Sequence, residues 1–318
     1  MRRSRAIARP RFTLKTARTH LTRRWQRWRR TGLAWVSLVI LATTLACQTA
    51  QGEPLVVEAG DPPRQLAPAS LIEQLRAANV VYLGEQHDRV ADHEAQLEIV
   101  QALHAANPQL AIALEMFQHP FQAALDRYLA GESDEAALLA ESEYEQRWGF
   151  PWEFYAPLLR FAKANQIPVI ALNTPTEVTR QISGQGLASL DAAARQQIPP
   201  LDEIDTGNAN YRRLLETAFS AHAAHGGLEF ENFFAAQVTW DETMAMNIAA
   251  FHRAQPQRQV IVIAGRGHVI YGYGIPDRVA RRLGPDLVQK TILLNPPAAI
   301  NADGERSPSD FAWFSAPE

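Results

Sequence analysis

Two histidines in this chain close short glycine turns, Gly84-Glu85-Gln86-His87 and Gly265-Arg266-Gly267-His268, and a lone acid, Glu115, sits inside the apolar run ALEMF. Imidazole beside carboxylate is the pairing that moves protons near neutral pH or holds a metal ion. A carboxylate seldom enters an apolar strand without a partner, so Glu115 either serves a site or forms half of a buried ion pair. Glu85 and His87 come together, which favours a site. The plain alternative is that His87 only orients the next turn, with Asp88 capping a helix that begins near Val90. The glycines around Arg266 let the backbone turn tightly and approach a ligand ahead of His268.

Other polar groups fall at places that need explaining. Asn173 ends the run IPVIALN, where it serves the site or closes the turn before Pro175. Gln237 and Asp241 lie one helical turn apart on the face that also carries Met244 and Ile248, so they enter a pocket or face solvent. WGFPWEFY (148–155) puts five aromatics into eight residues, as a pocket wall or as ordinary packing. Tyr271 and Tyr273 follow His268, and a tyrosinate is one of the side chains that ligates haem iron. His93 falls on the inward stripe of its helix and could reach the same place, whereas His104, His222, His225 and His252 carry no second signal.

Several machineries are excluded. There is no GxSxG elbow, His93-Glu94 has Leu97 where a zinc HExxH needs its second histidine, and GRGHVI has Ile270 where a dinucleotide fingerprint needs its third glycine. Cys47 is the single cysteine, which removes disulfides, thiolate ligands and covalent haem attachment from the folded body. A divalent metal would have to use His87, His268 and carboxylates, leaving a position for an activated water. Glu85 or Glu115 could instead act as a general base beside His87 or His268 with no metal.

Positioning these groups requires strands. NVVYLGE (79–85), QLAIALEM (109–116), IPVIALN (167–173), RQVIVIAG (258–265) and KTILLNP (290–296) are short β-branched runs separated by helical patterns. They predict an α/β fold: an open, mainly parallel five-stranded sheet with helices on both faces. The helix after the first strand is read from Val90, Leu97, Val100 and Leu103, and the one after the fourth from Val279, Arg282 and Leu283. The 174–258 crossover between the third and fourth strands is too long for one helix and predicts a large helical insertion capping the sheet. Ligands of open parallel sheets bind outside the carboxyl ends of the strands, so Glu85, His87, Glu115, Asn173 and His268 are expected to share one rim.

The ends of the chain read differently. The first thirty residues hold twelve Lys or Arg and no acid, and run into the uncharged stretch Thr31 to Ala46. Sixteen apolar residues fall short of the ~20 of a spanning helix, so 1–46 reads as a secretory signal, with an uncleaved membrane anchor as the alternative. Leu45-Ala46-Cys47 resembles a lipoprotein cleavage site, with Thr44 where that pattern usually has Leu; Cys47 would then carry the lipid. Residues 47–68 read as a tether, 69–300 as the domain and 301–318 as a tail. Without the signal, 19 basic residues face 34 acids, about −15. That charge argues against nucleic acid as a partner.

Taken in order, YLGEQHDRVADH, ALEMFQ, RWGFPWEFYAPLL, QVTWDETMA and IAGRGHVIYGYGIPDRV resemble the ChaN-like haem-binding uptake family within the Tiki superfamily, over roughly 70–295. That resemblance implies an exported or lipid-anchored protein of the cell envelope that binds haem non-covalently, with the two Gly-x-x-His turns face to face and Glu115 as the acid of the second strand. It places haem near His268, with Tyr271 or Tyr273 as candidate ligand. A second copy of the chain or an uptake receptor is the partner to expect. The same superfamily includes metal-dependent proteases, and erythromycin-esterase-like proteins share the Gly-Glu-x-His opening, so a hydrolase using the same cleft is the alternative.

Overall fold

The five apolar runs form adjacent strands in a computed structural model that describes residues 52–221, 229–297, 300, 303, 304 and 306–316. They are β3 (Val80–Glu85), β4 (Leu110–Gln118), β5 (Val169–Asn173), β6 (Gln259–Gly265) and β7 (Gln289–Leu294), all parallel, in the spatial order β7-β3-β6-β4-β5. Strand residues alternate between two cores, as period-two side chains must. Val81 and Leu83 face α1 (Pro68–Leu75), α2 (Val90–Ala106) and α6 (Trp152–Ala164), whereas Val80 and Tyr82 face α10 (Phe230–Ala254) and α11 (Ile275–Leu283). Burial on both faces explains why the runs are continuously apolar; each Val, Leu or Ile so buried stabilises by roughly 1.5–3 kcal/mol.

The sheet has eight strands, not five. β1 (Leu55–Glu58) and β2 (Arg64–Leu66) come from the segment that reads as a tether, and β8 (Phe311–Phe314) from the one that reads as a tail. β8 runs parallel beside β7 and antiparallel beside β1, which pairs with β2 at the edge. These strands escape periodicity because they are three or four residues long and one side of each is partly exposed. β1 and β8 hold each other across the length of the domain, with Leu55 opposite Phe314, while β2 is held by β1 and β8 also by β7.

Two helix readings also shift. In α2 the buried stripe is Ala95, Gln96, Ile99, Val100 and Leu103, while Val90 is 49% exposed. In α11 it is Ile275 and Val279, and Arg282 is an ion-pair partner instead of a core residue. Between β4 and β5 stand α3 (Gln122–Ala130), α4 (Glu135–Glu141), α5 (Tyr144–Arg147) and α6. The β5 to β6 crossover is helical, with α7 (Thr176–Gln185), α8 (Ala192–Arg195), α9 (Ala209–Ala221) and α10, and it builds a third core around Ile182, Tyr211, Phe234 and Tyr273. The basic run, the apolar stretch after it and Cys47 lie outside the described residues. Among the described residues no helix is long and apolar enough to cross a membrane.

Candidate functional site

The strand order gathers the site. β6 lies between β3 and β4, with Glu85 level with Gly265 and Leu114 level with Ile263, so the ends of β3 and β6 stand beside Glu115. β4 continues three residues past Glu115 to Gln118, with an irregularity against β5 between Leu114 and Gln118. Both acids are 1% exposed.

Glu85 is the hub of the first half. Its carboxylate accepts from His87 Nδ1 at 2.6 Å, from the Tyr155 hydroxyl at 2.6 Å and from Gln96 Nε2, and lies 3.5 Å from His93 Nδ1. Because a carboxylate only accepts, His87 carries its proton on Nδ1, and Nε2 is left facing Gly265. A methyl group at Gly265 would stand 2.8 Å from that Nε2 and 3.6 Å from Glu115 Oε2, so glycine is what lets the imidazole pack this closely onto β6 beside the acid. Trp148 and Phe150 flank the His87 ring at centroid distances of 4.9 and 5.0 Å. Burial depresses basicity at His87, but the Glu85 hydrogen bond and the charges of Glu115 and Glu85 raise its pKa overall. With 26% of its side chain exposed, His87 is the more accessible of the two motif histidines; His268 has 8%.

The second half centres on His268. Its Nδ1 lies 2.6 Å from Asp241 Oδ1 and its Nε2 3.4 Å from Glu115 Oε1, while Asp241 accepts the Tyr211 hydroxyl at 2.6 Å. Gln237 Nε2 is 3.1 Å from Nδ1, and the Trp240 ring meets the imidazole edge-on at 5.3 Å. Burial works against the imidazolium, but the charges of Glu115 and Asp241 win and raise its pKa to about 10. Reciprocally, burial pushes the Glu115 carboxyl up, and the His268 charge and hydrogen bond bring it down to about 2; the Gly265 N–H adds a bond at 2.7 Å. Glu115 is therefore both at the rim and half of a buried ion pair, two options that the sequence presents as alternatives.

Asn173 donates to the Glu115 carbonyl at 2.7 Å and accepts from the Trp240 indole, so it ties β5 to β4 and seats the ring against His268. The two tyrosines go elsewhere. Tyr273 is buried in the cap core with its hydroxyl donating to Asp303 at 2.9 Å. Tyr271, at φ 58°, lines a cavity of about 480 Å³ with Lys290 and Arg306, whose lining includes none of Glu85, His87, Glu115 or His268. Asp88 caps nothing: α2 starts after Arg89 without a side-chain cap, and Asp88 accepts from Gln86. Among the described residues no group of three His, Cys, Asp or Glu side chains could hold a metal ion.

His93 does reach the rim, stacked on Phe154 at 4.8 Å with Nε2 donating to the His87 carbonyl at 3.0 Å. Tyr155, Gln96 and Tyr211 escape sequence reading. A glutamine on the buried stripe of α2 was the available signal for Gln96, and the dense aromatic segment was the one for Tyr155. Tyr211, on a cap helix far from any motif, offers none.

A family model described as haem-binding uptake, Tiki superfamily, ChaN matches residues 71–279. Protein RETICULATA-RELATED 5, chloroplastic, of Arabidopsis thaliana is 30% identical over 260 residues, 77% of this chain and 35% of that protein, so the match spans about a third of the relative's length. Among solved structures, ChaN of Campylobacter jejuni with cofacial haem superposes with a TM-score of 0.64 at 18% identity, covering 83% of this chain and 98% of that one. The erythromycin esterase EreC, solved as a mutant in its open conformation, gives 0.43 at 14%, covering 78% of each chain.

Proposed function

The chain belongs to the ChaN haem-binding uptake family of the Tiki superfamily, and from that premise we propose that it binds haem non-covalently at the rim formed by His87, Trp148 and Phe150. One observation carries the reading: His87, the more exposed of the two motif histidines at 26% of its side chain against 8%, is held through Nδ1 by buried Glu85 at 2.6 Å, which leaves Nε2 as the ring nitrogen to take a ligand. A carboxylate behind a ligating histidine fixes its tautomer and raises its basicity, which is the support that iron ligands usually have. Haem supplies a ligand-accepting iron and a flat apolar face. On the protein side, Glu85 orients His87, Trp148 and Phe150 offer ring surface to a porphyrin, and Tyr155 and Gln96 hold Glu85 in place. This reading moves the candidate ligand from Tyr271 or Tyr273 to His87, because Tyr273 donates to Asp303, Tyr271 lines a different cavity, and both ring nitrogens of His268, near which the haem was expected, already face carboxylates. Haemin titration should give a saturable Soret band; its absence would remove the proposal.

Export and anchoring belong to the same proposal. Signal cleavage before Cys47 would leave an acylated cysteine ahead of β1 and place the domain in the cell envelope, with a second copy or an uptake receptor as partner. Mass spectrometry of the mature protein should find acyl mass on Cys47, and a different N-terminus without it would contradict the anchor. A second reading, hydrolysis at the same rim, is favoured by the two buried carboxylate–imidazole pairs, Glu85 with His87 and Glu115 with His268. Ester or peptide cleavage by a protein that shows no Soret band would establish it.

A further inference from the structure

Arg266 stands between Gly265, beneath His87, and His268, yet it has no carboxylate partner among the described residues. Its Nη2 donates to Gln86 Oε1 at 2.5 Å, and Arg89 Nη2 reaches the same oxygen at 3.2 Å. Two guanidinium groups thus converge on one neutral amide oxygen beside His87. Arg89 is otherwise engaged, by the Asn295 carbonyl and, at 4.0 Å, by Asp92. Arg266 Nη1 is buried with no hydrogen-bond acceptor. A buried donor left unmet is destabilising, and a half-buried cation without an anion is more so. Gly84 is what brings it so near β3: a Cβ there would stand 3.3 Å from the Arg266 Cα. Burial first and the Arg89 charge second weaken the hold of Arg266 on its proton, and the more distant charges of Asp92 and Asp88 offset this only in part, so an anion arriving between the two guanidinium groups would be favoured.

We propose that Arg266, with Arg89 beside it, is a carboxylate-binding pair that takes the ligand's acid group in place of Gln86. On the reading that this rim binds haem, the group held is a propionate. The fork of a guanidinium matches a carboxylate two bonds at a time, which a neutral amide oxygen cannot use. The pair would therefore set the orientation of the porphyrin over His87 and select for the free acid.

The full-length protein is titrated by absorbance with haemin and with iron protoporphyrin dimethyl ester, whose propionates are masked. Wild type should bind haemin at least about tenfold more tightly than the diester. Arg266→Gln should erase that preference by weakening haemin while leaving the diester nearly unchanged, and Arg266→Lys should restore part of it. Equal binding of the two porphyrins by wild type would overturn the proposal and leave the haem reading intact, and so would an equal loss of both in Arg266→Gln. Binding of neither by wild type would overturn both. The wild-type comparison decides the matter even if a variant fails to fold.

Discussion

At the scale of single residues, Glu115 is the most demanding group in the chain. It is fully buried, its carboxyl is held at about 2 by His268, and it also anchors the Gly265 N–H. Glu115→Gln strands the imidazolium with one counter-charge fewer, and loss of one partner of a buried pair costs roughly 3–5 kcal/mol. A clear fall in melting temperature is the expected outcome; unchanged stability would show that the ion pair is not formed. The same pair sets a pH window. Glu115 stabilises above its ordinary value of 4.5, and that contribution is lost as pH falls through about 2; His268 stabilises below 6.5, and its contribution is lost as pH rises through about 10. Melting temperature should be highest between about 4.5 and 6.5, with both flanks flattened in His268→Gln. Gly265→Ala tests the other half of the site, since the new methyl would meet His87 Nε2 at 2.8 Å. It should shift the His87 imidazole resonances by NMR and lower melting, because His87 is held by Glu85 and flanked by Trp148 and Phe150 and can give way only by disturbing them; an unperturbed His87 would contradict the close approach.

At the scale of elements, α10 does two tasks on successive residues. Asp241 faces His268, while fully buried Glu242 receives Arg281 at 2.6 and 2.7 Å and Arg282 at 2.6 Å, with Arg278 at 3.2 Å. That network locks α11 against α10, and Glu242→Gln should destabilise by about 3 kcal/mol or more in denaturant titration. Less than about 1 kcal/mol would mean that solvent replaces the missing charge. The five central strands were legible because burial on both faces writes a continuous apolar run. Glu85, His87, Glu115, Asn173, Asp241 and His268 were legible because each breaks a pattern: an acid in a strand, a polar group on an apolar helix face, an imidazole after a glycine turn. Tyr271 and Tyr273 misled, since closeness in sequence to His268 is undone by a backbone that turns at Tyr271 and sends Tyr273 into the cap. Glu242, Arg278 and Arg281 left no trace, because charged residues at helical spacing read as a solvated surface, and Arg282 read as part of the helix stripe instead of as a partner of Glu242.

At the scale of the whole molecule, the two ends of the domain meet. β8 sits between β1 and β7, and Phe311 and Trp313 are buried in the same core as Val56 and Leu71. Deleting 301–318 would uncover β7 and detach the β1–β2 pair from the rest of the sheet, so a large loss of thermal stability is expected where a mere tail would cost nothing. On this frame the ligand is expected to land at His87. Haemin is titrated side by side into wild type, His87→Ala and His252→Ala, with the Soret band recorded at each addition. Wild type and His252→Ala should saturate alike, while His87→Ala binds about tenfold or more weakly, with a shifted band. A wild-type protein without a saturable band, or a His87→Ala variant that matches it in affinity and spectrum, would contradict the account.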